Sequence, residues 1–161
     1  SSDLALKDEL GKDYHLVVLD YDLNHNEEAL QAMEPYADKL EILVNEICYP
    51  GCKMRKEHYR SESQSQLEFD NRSDFRCPNK STPRVFKECM DRPAFISNEE
   101  IGSYIDRGFV NFKIVGRGLP PQLVMDSYLY YLPNEKDREF IKAKADEILA
   151  DIAKAQQMQR R

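Results

Sequence analysis

The apolar positions change period several times along the chain. Residues 15–20 (His-Leu-Val-Val-Leu-Asp) form an apolar run that stops at polar residues, as in a strand buried on both faces of a parallel sheet. Asn26 can cap the helix that follows, with Glu27 and Glu28 in its first turn and Leu30, Met33 and Ala37 on its inner face. Residues 40–44 (Leu-Glu-Ile-Leu-Val) read as a second strand. Regular pattern then fails until about Pro93. It returns with residues 94–96 (Ala-Phe-Ile), a short strand, and with Ser97 and Glu100 as a capping box. Ile101, Tyr104 and Ile105 form the inner stripe of that helix, and Gly108 ends it. Residues 110–115 are the last strand. Pro120 and Pro121 open a helix with Leu123, Val124, Tyr128 and Tyr131 inward. Asn134 caps a long final helix with Ile141, Ile148, Leu149 and Ile152 inside. Residues 3–10 are expected to form a short leading helix.

The order β-α-β-loop-β-α-β-α-α predicts an α/β fold with a parallel sheet and right-handed crossovers. The expected architecture is a partial (β/α) barrel. It has about four parallel strands, flanking helices and a long cysteine-bearing loop over residues 46–93. Residues 1–161 form one domain, with a frayed tail at 156–161. A loop this long is unusual in a compact domain, so it is expected to be partly helical or organised by a bound ion or cluster. Four strands cannot close a barrel. They form an open sheet, or pair with a missing N-terminal half or with a second copy as a dimer.

Of the 161 residues, 41% are hydrophobic and 32% charged, a balance that supports one core. No apolar run is long enough to span a membrane, and the first ten residues lack the basic start and apolar stretch of a signal peptide. A cytoplasmic location is expected. The net charge of −6 gives no overall attraction to nucleic acid.

In parallel α/β folds the chemistry sits where strands end. That rule selects Asp20, Asp22 and Asn24, then Asn45, Glu46 and Cys48, then Gly116 and Arg117. Asp22 and Asn24 are more simply loop-shaping and capping residues. Arg117 can grip a carboxylate or phosphate with two prongs, or pair with Glu46 or Asp20 across the rim. The four cysteines, Cys48, Cys52, Cys77 and Cys89, are the sharper signal. Pro50-Gly51 turns the chain between the first two. Four thiolates can hold zinc or an iron–sulfur cluster, although the spacing is neither that of a zinc ribbon nor the usual ferredoxin run. The alternative is four ordinary thiols, with Cys89 merely buried. Arg55 stands where the third cysteine of a radical-enzyme motif would be. His58 is a ligand, a general base or a surface residue; His15 and His25 are read as structural. There is no Gly-x-Ser-x-Gly or His-Glu-x-x-His pattern.

Residues 111–117 (Asn-Phe-Lys-Ile-Val-Gly-Arg), followed by the aromatic helix ending at Tyr131, resemble the strand and helix near the barrel end in the collagenase-like "U" peptidase family. Residues 43–48, with Cys52 through His58 and Tyr59, resemble the cysteine segment of a bacterial branch of uncharacterised relatives. The resemblance implies a TIM-like barrel of which this chain is the C-terminal half. Relatives act in oxygen-independent hydroxylation of ubiquinone precursors or RNA bases with a four-iron four-sulfur cluster. It therefore implies Cys48, Cys52, Cys77 and Cys89 as cluster ligands, with zinc as the alternative and with a fragment able to lack the group. Arg117, Glu46, Asn45 and His58 would line a substrate pocket. Nucleic acid enters only as a substrate by this analogy. Val115 stands where the family reads Glu, and the Cys48–Cys52 gap is tighter than in the hydroxylation proteins. The other function classes are a peptidase or hydrolase, and a non-catalytic or zinc-binding module.

Overall fold

The computed structural model describes residues 8–69, 75–77, 83–116 and 119–159. Three parallel strands, β1 (Val17–Val18), β2 (Leu40–Leu43) and β3 (Asn111–Lys113), lie in the order β1-β2-β3. Val17 pairs with Leu40, and Ile42 with Phe112. Leu40 and Ile42 are fully buried, whereas Glu41 and Leu43, on the opposite face, are half-buried. This alternation turns one face of β2 to the helices. There Leu40, Ile42 and Val44 meet Leu19, Leu30, Met33, Ile96, Tyr104 and Phe109 in the core. On the other face Lys113 pairs with Glu41 across the sheet at 3.1 Å.

The helix joining β1 to β2 is α1 (Glu27–Met33), with the Asn26 carboxamide accepting from the Ala29 amide at 3.0 Å. Between β2 and β3 come α2 (Arg55–Leu67), α3 (Phe86–Met90) and α4 (Asn98–Asp106). The stretch read as irregular is thus helical in two places. After β3 follow α5 (Pro121–Tyr131) and α6 (Arg138–Gln159). Both bonds of the Ser97–Glu100 capping box are made. Gly108 takes φ +93° to end the turn after α4, a conformation that disfavours any side chain.

Some expectations need correction. Residues 94–96 are not a strand. Both edges of β2 are already taken by β1 and β3, so this segment makes a single ladder-like bond, Ile96 N–H to the Val44 carbonyl at 2.8 Å. The described sheet therefore has three strands rather than about four. Ile105 and Tyr128 are exposed, not inward. On α6 the expected inner residues Ile141, Ile148 and Ile152 are 39%, 55% and 46% exposed, and Ala145 is buried instead. α6 packs on α5 alone strongly enough to cover a narrow seam. It stays helical to Gln159, through most of the segment read as a frayed tail. Residues 8–10 are helical, and the rest of the expected leading helix lies outside the described residues. No helix among the described residues is long and apolar enough to cross a membrane.

The cysteine stretch leaves the frame after Val44 and returns at Ile96, and these two points are clasped together. The fully buried Asn24 donates through its amide nitrogen to the Leu43 and Ala94 carbonyls, both at 2.8 Å. The Tyr131 hydroxyl lies 2.7 Å from the Ile96 carbonyl and 3.1 Å from that of Val44. The Tyr104 hydroxyl in turn donates to the Asn24 carbonyl.

Candidate functional site

The clasp sets the ends of the cysteine stretch at the C-terminal end of the sheet. Beyond it, the Glu46 carboxylate accepts from the Cys48 backbone N–H at 2.9 Å. Gly51 takes φ +68° in the turn between Cys48 and Cys52. The chain then enters α2, the Arg55 amide bonding to the Cys52 carbonyl at 3.2 Å. One helical turn later, His58 stacks on Phe75 with ring centroids 4.7 Å apart and planes 10° from parallel. Phe75 lies two residues before Cys77, so this stack brings a distant part of the stretch back beside its start.

The result is a small cavity of about 40 Å³ lined by Cys48, Cys52 and Cys77 together with Tyr21, Arg55 and His58. It has room for an ion or a few water-sized groups, far less than the several hundred Å³ of an organic-substrate pocket. All four cysteines are unbridged. Among the described residues, no three His, Cys, Asp or Glu side chains stand close enough to hold a metal as they lie.

Arg55 ties the site to the first strand. Its guanidinium bonds to Asp20 at 2.8 Å and to Asp22, and lies 4.0 Å over the Tyr21 ring. Desolvation opposes its charge, but the bonds to Asp20 and Asp22 outweigh that and hold it protonated. Asp20 also caps the 3-10 turn Tyr21–Leu23 by accepting from the Asp22 amide. Among the described residues, the arginine paired with Asp20 across the rim is Arg55. Arg117 lies outside the described residues.

Burial, then the Glu46 carboxylate, pushes the Cys48 thiol up to about 11; the Tyr21 hydroxyl beside it acts in the opposite sense. Cys48 is therefore a neutral thiol near pH 7 unless a cation takes the proton's place. Tyr21 is only 3% exposed, and its hydroxyl meets no partner of full hydrogen-bond geometry among the described residues. Such a group is costly to bury. Tyr21→Phe is expected to leave the metal-free chain as stable as before, or up to about 1 kcal/mol more stable, measured by urea denaturation. A loss of stability would show that the hydroxyl is bonded in solution.

The other sequence candidates are placed as follows. Asn45 is buried, with its amide nitrogen donating to the Val115 carbonyl at 2.8 Å and its oxygen accepting from the Val115 amide at 2.7 Å. It fastens the end of β2 to the end of β3 and does not line the cavity. Glu46 shapes the Cys48 turn. Cys89 is 1% exposed on α3 and is not among the cavity's lining residues. Burial raises its thiol, with Arg92 acting against that. Tyr21 and Arg55 were not selected as site residues from sequence. Their only signals were a tyrosine just past a strand end and an arginine in a cysteine motif's empty place.

No family model matches the chain. No solved structure matches significantly. An uncharacterized protease of Methanocaldococcus jannaschii is 31% identical over 115 residues, which take in 68% of this chain and 33% of that protein. The match therefore spans about a third of the relative's length, and over that stretch the chain is similar to a protein named as a protease.

Proposed function

We propose that this chain is the C-terminal half of a peptidase-family-like (β/α) barrel whose cysteine stretch carries an iron–sulfur cluster, with a single zinc ion as the alternative. The supporting observation is that Cys48, Cys52 and Cys77, from separate parts of an otherwise polar stretch, line one small cavity. Thiolates are soft donors that select zinc, copper(I) and iron–sulfur centres. These three cysteines would hold the group, which when bound would supply one-electron chemistry of the kind the resembled family uses in hydroxylation.

The chain's own residues prepare for such a group. Arg55 forms one wall of the cavity, its charge balanced by Asp20 and Asp22. Glu46 fixes the turn that presents Cys48, and Tyr21 can donate to the Cys48 sulfur. The test is anaerobic purification followed by iron, zinc and sulfide analysis and an absorption scan. Expected are iron with matching sulfide and a broad band near about 400 nm. Absence of iron and of the band after reconstitution overturns the cluster, and zinc without sulfide replaces it by the single-ion site.

The similarity to an uncharacterized protease favours peptidase activity as a second reading. Its candidate pair here is Cys52 as nucleophile and His58 as base, both lining the cavity. A labelled protein substrate cleaved equally by wild type, Cys52→Ala and His58→Ala would exclude this site as the hydrolytic centre.

A further inference from the structure

The last helix carries an apolar row that its own chain leaves uncovered. α6 (Arg138–Gln159) has 22 residues and is about 33 Å long, and α5 is the element it packs against most. Ala145 is buried, while Ile141, Ile148 and Ile152 remain exposed. These isoleucines and Ala155 follow one another at intervals of seven, four and three residues. Ala145 divides the long interval into four and three as well. The row therefore repeats every 3.5 residues on average, the period of a coiled-coil seam. Lys144 and Asp151 each stand immediately before a seam residue, Ala145 and Ile152, so they flank the seam on the same side. The charges are also divided unevenly along the helix. Its first part holds Arg138, Lys142 and Lys144 against Glu139 alone; its second holds Asp146, Glu147 and Asp151 against Lys154 alone.

We propose that α6 docks on α6 of a second copy of this chain, antiparallel and about a two-fold axis through the middle of the helix, with Ile141, Ile148 and Ile152 at the seam. The charge division selects this occupant and this direction. An antiparallel second copy lays its acidic half on the basic half of the first, and the two-fold axis makes the same match twice. A parallel copy would set like charges together. In the antiparallel pair the residues that flank the seam on one side face their own kind, so Lys144 of each copy meets Asp151 of the other. Within the helix Lys144 bonds to Glu147 at 2.8 Å and Lys154 to Asp151 at 3.2 Å. All four side chains are well exposed, and such pairs are weak enough to leave the charges available to a partner. A lipid surface fits less well, because the positive and negative side chains of α6 balance and present no basic face to anionic headgroups. The pairing is independent of any chemistry at the cysteine stretch.

The test is sedimentation equilibrium of the whole chain over a dilution series, under reducing conditions so that no cysteine links two copies. Wild type is expected to be a dimer that dissociates on dilution. Ile148→Glu should raise the dissociation constant by about 100-fold or more while keeping the wild-type circular dichroism, since the side chain it replaces is exposed. Lys144→Glu alone and Asp151→Lys alone should each weaken the dimer by about tenfold, each changed charge entering the pair twice. Mixed in equal amounts, these two variants should associate as tightly as wild type, because the acidic copy then faces the basic one. That recovery separates a lost contact from a damaged helix. A wild-type chain that stays monomeric to about 1 mM overturns the proposal. So does a dimer that Ile148→Glu leaves intact, which would place the interface elsewhere, for example on the apolar groove of Ile101, Phe112 and Ile114. A mixture of the two charge variants no tighter than either alone overturns the antiparallel pairing.

Discussion

Asn24→Ala is expected to lower the unfolding free energy by about 2–4 kcal/mol, because it leaves two inward carbonyls without their donor. The Leu43 and Ala94 carbonyls both take their bond from this one amide nitrogen, and the residue is fully buried. In a chain of 161 residues each kcal/mol corresponds to roughly 2–4 °C in Tm, so a thermal melt resolves the change. Asn24→Asp should be worse than its near-identical shape implies, since a carboxylate oxygen would face two acceptors. A cost under about 0.5 kcal/mol for both variants, typical of a surface change, would mean the clasp is not made in solution.

On the proposed thiolate centre, Cys48→Ser is expected to weaken metal binding by about 100-fold or more, beyond the usual cost of removing a ligand's supporting partner. In wild type, affinity should climb with pH from about 6 to 9, because the metal must displace the thiol proton. Equilibrium dialysis across that range, with proton release read in weak buffer, checks both. The same thiol gives the metal-free chain a pH dependence of the opposite sense. Burial raises Cys48 from 9.0 to about 11 in the folded state. Between those values the unfolded chain has released the proton and the folded chain still holds it. Stability therefore falls as pH rises through that window, and Cys48→Ala should flatten the decline.

The parts of the fold that were legible in the sequence are those with a local cause. Asn26 and Ser97 accept from the amides of their own first turns, and Leu30 and Met33 repeat at helical spacing onto the core. The central strand was legible because Leu40 and Ile42 alternate with a charged residue. Residues 94–96 misled because three apolar residues satisfy a strand and a buried connector equally. What distinguishes them is whether β2 has a free edge, which is a tertiary fact. Ile141, Ile148 and Ile152 carry a true helical stripe, but periodicity states which side is apolar and not whether a neighbour covers it. At the site, the cysteines drew attention by their type. Tyr21 and Arg55 did not, because the Arg55 contact with Asp20 and Asp22 joins positions more than thirty residues apart. Cys89 was grouped with the other cysteines by chemistry; it is buried on α3 and is not among the residues lining their cavity.

The clasp of Asn24 and Tyr131 has a bearing on how such a chain can change. The cysteine stretch departs and returns at neighbouring backbone positions, Val44 and Ile96, 2.8 Å apart across one bond. Doubling a loop tethered at such a point costs only about 0.6 kcal/mol of closure entropy. The bonds that hold those two points together come from Asn24 and Tyr131, outside the stretch itself. A change in the length of the cysteine stretch is thus taken up beyond a point where its two ends already meet, and its contacts back to the frame, such as Arg55 on Asp20 and Asp22, are what such a change would put at stake.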